Sequence, residues 1–283
     1  MPREQSPSTN ERSFVRKALR DNARLDGRRL SEYRAISLLF PSPDAAEVRL
    51  GKTRVLCSVS CEIVTPPQNR KFDGIFTIVA ELGPGTSPAF DTGGSRQELL
   101  LARTLEKTVR RSGALDTESL CIIAGEKCFH VRADVHVMDH DGNLIDASCL
   151  AVVAALSRFR RPNVEVRGGV ATVYSARERE PVKLALHHRP FCVTTSYYEG
   201  ISFQDANLLE EHCRDGEVIV SLNKFGEVCG IAKYGGVAVD ALIMLQMIKD
   251  SLERVKALDM LVADALKESE ERPIAELSAE NER

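Results

Sequence analysis

Tryptophan is absent from this chain of 283 residues, and aromatic residues of all kinds make up only 5%. Stacking bases on a row of aromatic rings is therefore not its main route to a single strand. Positive charge is not in excess either. Lys and Arg number 38 against 41 Asp and Glu, which leaves a net charge of −3 and a pI near 6.1. A global basic field is excluded, and any contact with nucleic acid must come from a local patch on an acidic particle. No apolar run reaches 18 residues, so no membrane-spanning helix is expected, and no secretory signal is recognised. The eight cysteines form no C-x-x-C pair, which removes zinc-ribbon and thioredoxin readings. Most lie in apolar runs, as Cys57 does in RVLCSVS, and read as small buried hydrophobes. The expected setting is a reducing compartment, cytosol or nucleus.

With 43% hydrophobic and 28% charged residues, the chain has the composition of a globular protein and the length to bury a good core. Residues 1–11 are polar and are expected to be loose. RSFVRKALRDNARLDGRR reads as a short basic helix closed by an Asp26-Gly27 turn. SEYRAISLLF and AEVRLGKTRVLCSVSCEIV alternate as antiparallel strands with a Gly51-Lys52 hairpin turn, and FDGIFTIVAEL is a further strand. A Gly- and Pro-rich loop at 83–95 precedes a helix from about Gln97 to Arg111. Strands at 119–125 and 128–138 lead through Asp141-Gly142-Asn143 into a helix at 146–159, and VRGGVATVYS reads as a hairpin. Strands at 190–197, 217–223 and 227–233 follow, then a long helix with an interruption near Asp259, and an acidic, loose tail. Two strand-rich units, each ending in a helix, give an α+β fold of two lobes with a boundary near 165–188.

The junction at 139–148 has the form of a phosphate cradle, where free N–H groups and the positive end of a helix dipole converge. Asp139, Asp141 and Asp146 surround it, and Leu144 and Ile145 stand where a cation or hydroxyl would grip an oxyanion. With Asp134, these acids could serve general acid–base or Mg²⁺ chemistry; alternatively they shape the turn and cap the helix. His136 and His140 are four apart on a strand, roughly 13 Å along it, too far to share one metal ion. His187-His188 and the run Asp205, Glu210, Glu211, Asp215 are further places for a divalent ion, or else a solvated surface. Arg103, Lys107 and Arg110 form one stripe on the helix after the loop, with Arg96 and Arg111 beside it. Such a stripe suits a phosphodiester backbone; the alternative is a solvated face paired with Glu98 and Glu106.

The segments RLDGR (24–28), LGKTRVLCSVSCEIV (50–64), LDTESLCIIAGEKCFHVRADVHVMDHDGNLIDAS (115–148), FRRPNVEV (159–166) and LHHRPFCVT (186–194) together resemble the RNase PH family, over roughly residues 28–267. The resemblance is strongest to the branch that builds the ring of the RNA exosome. It implies an RNase PH-like fold: an N-terminal lobe like ribosomal protein S5 domain 2 at 28–165 and a smaller lobe at 188–267. Residues 1–27 then form a tail with a short helix, and 268–283 an acidic tail. Active members shorten RNA 3′ ends with inorganic phosphate and carry D-G-G-[ST]-R at the junction, where the Arg and its neighbouring hydroxyl bind phosphate. This chain has Asp141-Gly142-Asn143-Leu144-Ile145 there, so an aliphatic side chain replaces the guanidinium and no catalytic residue is expected. The active enzymes' later aspartates are matched only loosely by Asp205 and Asp215.

The resemblance further implies a non-catalytic subunit that pairs with an RNase PH-type paralogue in a six-membered ring, alongside cap subunits and a separate catalytic ribonuclease. The ring would guide RNA for processing and degradation in nucleus, nucleolus and cytoplasm, with no metal, no cofactor and no membrane. Arg103, Lys107, Arg110 and Arg111 are the expected RNA contacts. The alternative is an active phosphate-dependent 3′→5′ exoribonuclease.

Overall fold

The structure, a computed structural model, describes residues 7–271 apart from 84, 87–89, 91–95, 169 and 176. Most of the Gly-rich loop and the final residues of the acidic tail thus lie outside the described residues. The chain opens with helix α1 (Thr9–Arg20), which a reciprocal Ser8–Glu11 capping box starts. Asn22, in the left-handed region, follows its end. The helix therefore begins inside the segment expected to be loose and stops well before the Asp26-Gly27 turn. That turn belongs instead to an extended arm that carries Arg24, Arg28 and Arg34 across the molecule.

Strands β1 (Ile36–Ser42), β2 (Ala45–Leu50) and β3 (Thr53–Val64) form an antiparallel meander. Gly51, at φ +59°, turns β2 into β3. Strand β4 (Ile75–Leu82) leads to helix α2 (Arg96–Val109), and a 3-10 turn at Glu118–Leu120 precedes the short β5 (Cys121–Ile123). Strand β6 (Lys127–Asp139) is inserted between β3 and β4, antiparallel to the first and parallel to the second. The parallel pair needs a crossover, and α2 supplies it, burying Leu101, Leu105 and Val109. Alternation on β6 sends Val131, Ala133, Val135 and Val137 inward, as the sequence pattern predicts.

Helix α3 (Leu144–Arg158) begins two residues earlier than expected and is buried at every position from Asp146 to Leu156. A helix covering one sheet face would keep a polar side; this one has none, because it is packed between two layers. Beyond it come β7 (Arg160–Arg161), the hairpin β8 (Val164–Arg167) and β9 (Val170–Val173), and β10 (Val182–Lys183), which pairs with β7. The second lobe has β11 (Phe191–Tyr198), β12 (Ile201–Gln204), helix α4 (Leu208–Cys213), β13 (Gly216–Leu222) and β14 (Val228–Gly235). Its sheet runs β12-β11-β13-β14.

Helix α5 (Ala241–Glu271) covers that sheet with Met247, Val255, Leu258 and Val262. It is continuous through Asp259, whose charge is met by Arg189 at 2.7 Å. It also runs into the expected loose tail, where Glu270 pairs with Lys183 at 2.7 Å. Both sheets, α3 and α5 share one hydrophobic core. A second, small core joins Val15 and Leu19 of α1 to Tyr198, Phe203, Ala206 and Cys213.

Candidate functional site

The β6–α3 junction is bent by two successive left-handed residues, Gly142 at φ +84° and Asn143 at φ +56°. Thr53 and Arg34 hold its carbonyls. Thr53 Oγ1 donates to Gly142 O at 2.7 Å, and Arg34 Nη1 donates to Asp141 O at 2.7 Å. The acids expected to surround the junction do not converge. Asp139 is exposed, Asp141 lies beside Arg34 at 3.5 Å, and Asp146 is buried inside α3's first turn. Asp134 is drawn to Arg132 at 2.7 Å.

Asp146 accepts from Thr194 N at 3.0 Å, Thr194 Oγ1 at 2.7 Å and Asn143 Nδ2 at 3.1 Å, which ties α3 to β11. It is an inter-lobe tie rather than a cap open to water. Burial pushes its carboxyl up to about 7, against the opposing pull of those donors. Between pH 4 and 7 the folded chain then binds more protons than the unfolded one, so this group makes stability fall as pH rises. The Asp146→Asn variant is expected to show a flatter stability profile across that window in urea unfolding; an unchanged slope would refute the assignment.

The acidic run at 205–215 is not a solvated loop. It is the strand end of β12 and the short helix α4, which is started by a reciprocal Asn207–Glu210 capping box. Asp205 is fully buried and accepts from Arg28 Nη1, the Arg34 backbone N and Arg34 Nη2, each at 2.8 Å. Burial alone would raise its carboxyl, but the hydrogen bonds and charge of Arg34 outweigh burial and hold it below the ordinary value. Glu210, also buried, takes both donors of the Arg24 fork. Asp215 accepts the Glu199 N–H at 2.9 Å. These carboxylates are spent on structure. The signal that could have found them is the RLDGR arm itself, whose arginines had no assigned partners.

Glu211 has a different place. Its Oε1 accepts the backbone N–H of Asn143 at 2.9 Å, at the very N-terminus of α3. A carboxylate therefore occupies a donor that a phosphate oxygen would need. Next to it, between the lobes, is a cleft of about 500 Å3 lined by Leu144, Ile145, Leu82, Glu211, Arg214 and Glu217.

His136 lies beside Glu81 at 3.1 Å, and His188 Nε2 beside Cys229 Sγ at 3.7 Å; burial holds His188 below its ordinary value. Among the described residues no group of three or more His, Cys, Asp or Glu could hold a metal ion.

Of the four expected RNA contacts, Arg103, Lys107 and Arg111 line a second groove of about 410 Å3 between α2 and β14, with Tyr234 and Ser221 opposite. Arg110 is not among its lining residues and pairs with Glu106 at 2.9 Å. Glu98, considered as a partner for the stripe, accepts instead from Leu82 N at 2.9 Å. Arg103 and Arg111 have no ion-pair partner among the described residues.

Residues 45–162 match domain 1 of the 3′ exoribonuclease family RNase PH, and residues 188–254 match its domain 2. The chain belongs to the RNase PH family. It is 43% identical, over the whole of both chains, to exosome complex component rrp45 of Schizosaccharomyces pombe. It is 40% identical to exosome complex component RRP45 of Saccharomyces cerevisiae, over 98% of this chain and 97% of that one. Among solved structures, a chain of the Archaeoglobus fulgidus exosome with RNA bound to the active site superposes with a TM-score of 0.79 at 28% identity. That match covers 89% of this chain and 97% of the other. Against these RNase PH relatives the fold expected from the sequence holds, with its two lobes joined across α3.

Proposed function

We propose that this chain is a ring subunit of the RNA exosome with no phosphorolytic activity of its own. The observation that carries the second half is the Glu211 carboxylate on the Asn143 N–H. A phosphate dianion approaching this junction would meet a fixed negative charge and, at Ile145, an aliphatic side chain where active family members place arginine. The names borne by the full-length relatives support the first half. In this reading the chain pairs with an RNase PH-type paralogue, meets cap subunits, and leaves hydrolysis to an associated ribonuclease. It works wherever that assembly does, in nucleus, nucleolus and cytoplasm.

Its contribution to RNA is the basic groove. Arg103, Lys107 and Arg111 present cations to a phosphodiester backbone without reading sequence, and Arg110, held by Glu106, adds less. The double variant Arg103→Glu, Arg111→Glu is expected to weaken RNA binding by the reconstituted ring about ten-fold or more at low salt, and to lower the salt slope. Arg110→Glu should have a smaller effect, and ring assembly should survive both. Unchanged affinity of the double variant would remove the groove from the RNA path. The silent-subunit half is tested by RNA 3′-end shortening with and without inorganic phosphate, with the chain alone and paired with its paralogue. Nucleoside diphosphates that disappear on Glu211→Ala substitution of this chain, with its fold intact by circular dichroism, would make it an enzyme.

A further inference from the structure

The two cleft carboxylates, Glu211 and Glu217, have side chains only 18% and 12% exposed. One guanidinium stands between them: Arg214 Nη1 is 2.8 Å from Glu217 Oε2 and 3.6 Å from Glu211 Oε1. It also donates to Ser196 Oγ at 3.1 Å. A second arginine, Arg96, is exposed at the rim. Below them Asn143, 3% exposed, has its Nδ2 committed to Asp205 at 2.8 Å and Asp146 at 3.1 Å. Those two carboxylates fix the amide orientation, and its Oδ1 is left buried with no hydrogen-bond partner. A buried, unpaired acceptor is costly and calls for a donor. Part of the lining is aliphatic, from Leu82, Leu100, Leu144 and Ile145.

We propose that this cleft is a docking site for a partner polypeptide, which it recognises through an arginine side chain set among aliphatic residues. The proposal rests on reading the junction as closed to phosphate. The guanidinium would donate to Glu211, Glu217 and Asn143 Oδ1, and its methylene stem would lie along Leu144 and Ile145. Lysine would satisfy fewer of these acceptors, because its donors are not arrayed in a planar fork. An RNA strand fits less well, since its phosphates would meet carboxylates here. The volume of about 500 Å3 is ample for one such side chain and its neighbours. Burial also raises the Glu217 carboxyl above its ordinary value, with Arg214 opposing the rise and Glu211 adding to it.

The test uses the full chain and a fluorescein-labelled pentapeptide, Gly-Leu-Arg-Leu-Gly, followed by anisotropy to millimolar protein. The control peptide carries citrulline, which keeps the shape of arginine and removes its charge. Binding of the arginine peptide is expected to be at least about ten-fold tighter than binding of the citrulline peptide, a difference of about 1.4 kcal/mol. Glu217→Gln should erase the preference. So should Ile145→Arg, which leaves both carboxylates in place and supplies a guanidinium from the chain itself; circular dichroism checks that each variant is folded. No binding, or equal binding of the two peptides, overturns the docking site and leaves the closed junction standing. Competition by inorganic phosphate, or a preference for a short oligoribonucleotide over the peptide, overturns both.

Discussion

Replacing Arg24 by methionine is expected to cost about 3–5 kcal/mol of stability, because it removes one partner of a buried ion pair and strands the other. Both side chains are out of water, Arg24 at 0% and Glu210 at 1% exposure. The arginine fork donates to both oxygens of Glu210 and to the carbonyls of Gln204 and Asp205 at 2.8 and 2.7 Å. Loss of the fork leaves the Glu210 carboxylate buried without a cation, held only by the Asn207 N–H at 3.0 Å, and takes a donor from each of the two carbonyls, in a space that methionine fills but cannot satisfy. The pair need not itself be strongly stabilising, since desolvation consumes much of its attraction. The double variant Arg24→Met, Glu210→Leu should therefore recover much of the loss. Urea unfolding of wild type, both single variants and the double variant measures the coupling directly. A loss below about 1 kcal/mol in Arg24→Met would mean that water reaches Glu210 and that the arm is not a fixed part of the fold.

Gly142→Ala is expected to be nearly as damaging, for a reason in the backbone. At φ +84° an L side chain costs about 1–2 kcal/mol. The new Cβ would also lie 2.6 Å from Ala206 O and the carbonyl carbon of Asn207, both main-chain atoms of the other lobe. Over-packing of this kind adds about 1–3 kcal/mol. Gly27→Ala isolates the first effect, because Gly27 has φ +77° and nothing within 4 Å of an added Cβ. The expected order in urea midpoint is wild type, then Gly27→Ala, then Gly142→Ala. Equal losses at the two positions would show that the lobes part easily at the junction.

The fold was legible where periodicity is strict. Alternation on β3 and β6, the Gly51 turn and the apolar stripe of α5 all fix elements within a few residues. The parallel pairing of β4 with β6 was not legible, since a strand's own sequence does not name its neighbour. Helix α4 was concealed by its acids: Asn207 and Glu210 form a capping signature, yet with Glu211 beside them they read equally well as a charged surface run. At the site, the family resemblance set Ile145 where active members are expected to carry arginine. The Glu211 carboxylate that fills the gap was not legible, because it comes from 68 residues further along the chain. The basic stripe was visible, but its division into groove-lining Arg103, Lys107 and Arg111 and a self-paired Arg110 depends on where α2 ends.

The arm that bears Arg24, Arg28 and Arg34 also sets an order of events during synthesis. The second-lobe carboxylates that these residues meet, Glu210 and Asp205, lie 171–186 positions downstream. Residues 24–34 leave the ribosome early, but Asp205 and Glu210 do not exist until nearly three-quarters of the chain has been made. Until then the three guanidinium groups lack these buried carboxylates, with only nearer partners such as Asp26 for Arg28 and Asp141 O for Arg34, and the first sheet can pair without the second lobe. Contacts this distant in sequence close late, after the entropy of a very long loop has been lost. The molecule therefore locks from its beginning only once its second lobe is present, and an interrupted chain ending before Asp205 would carry a loose, strongly cationic N-terminus.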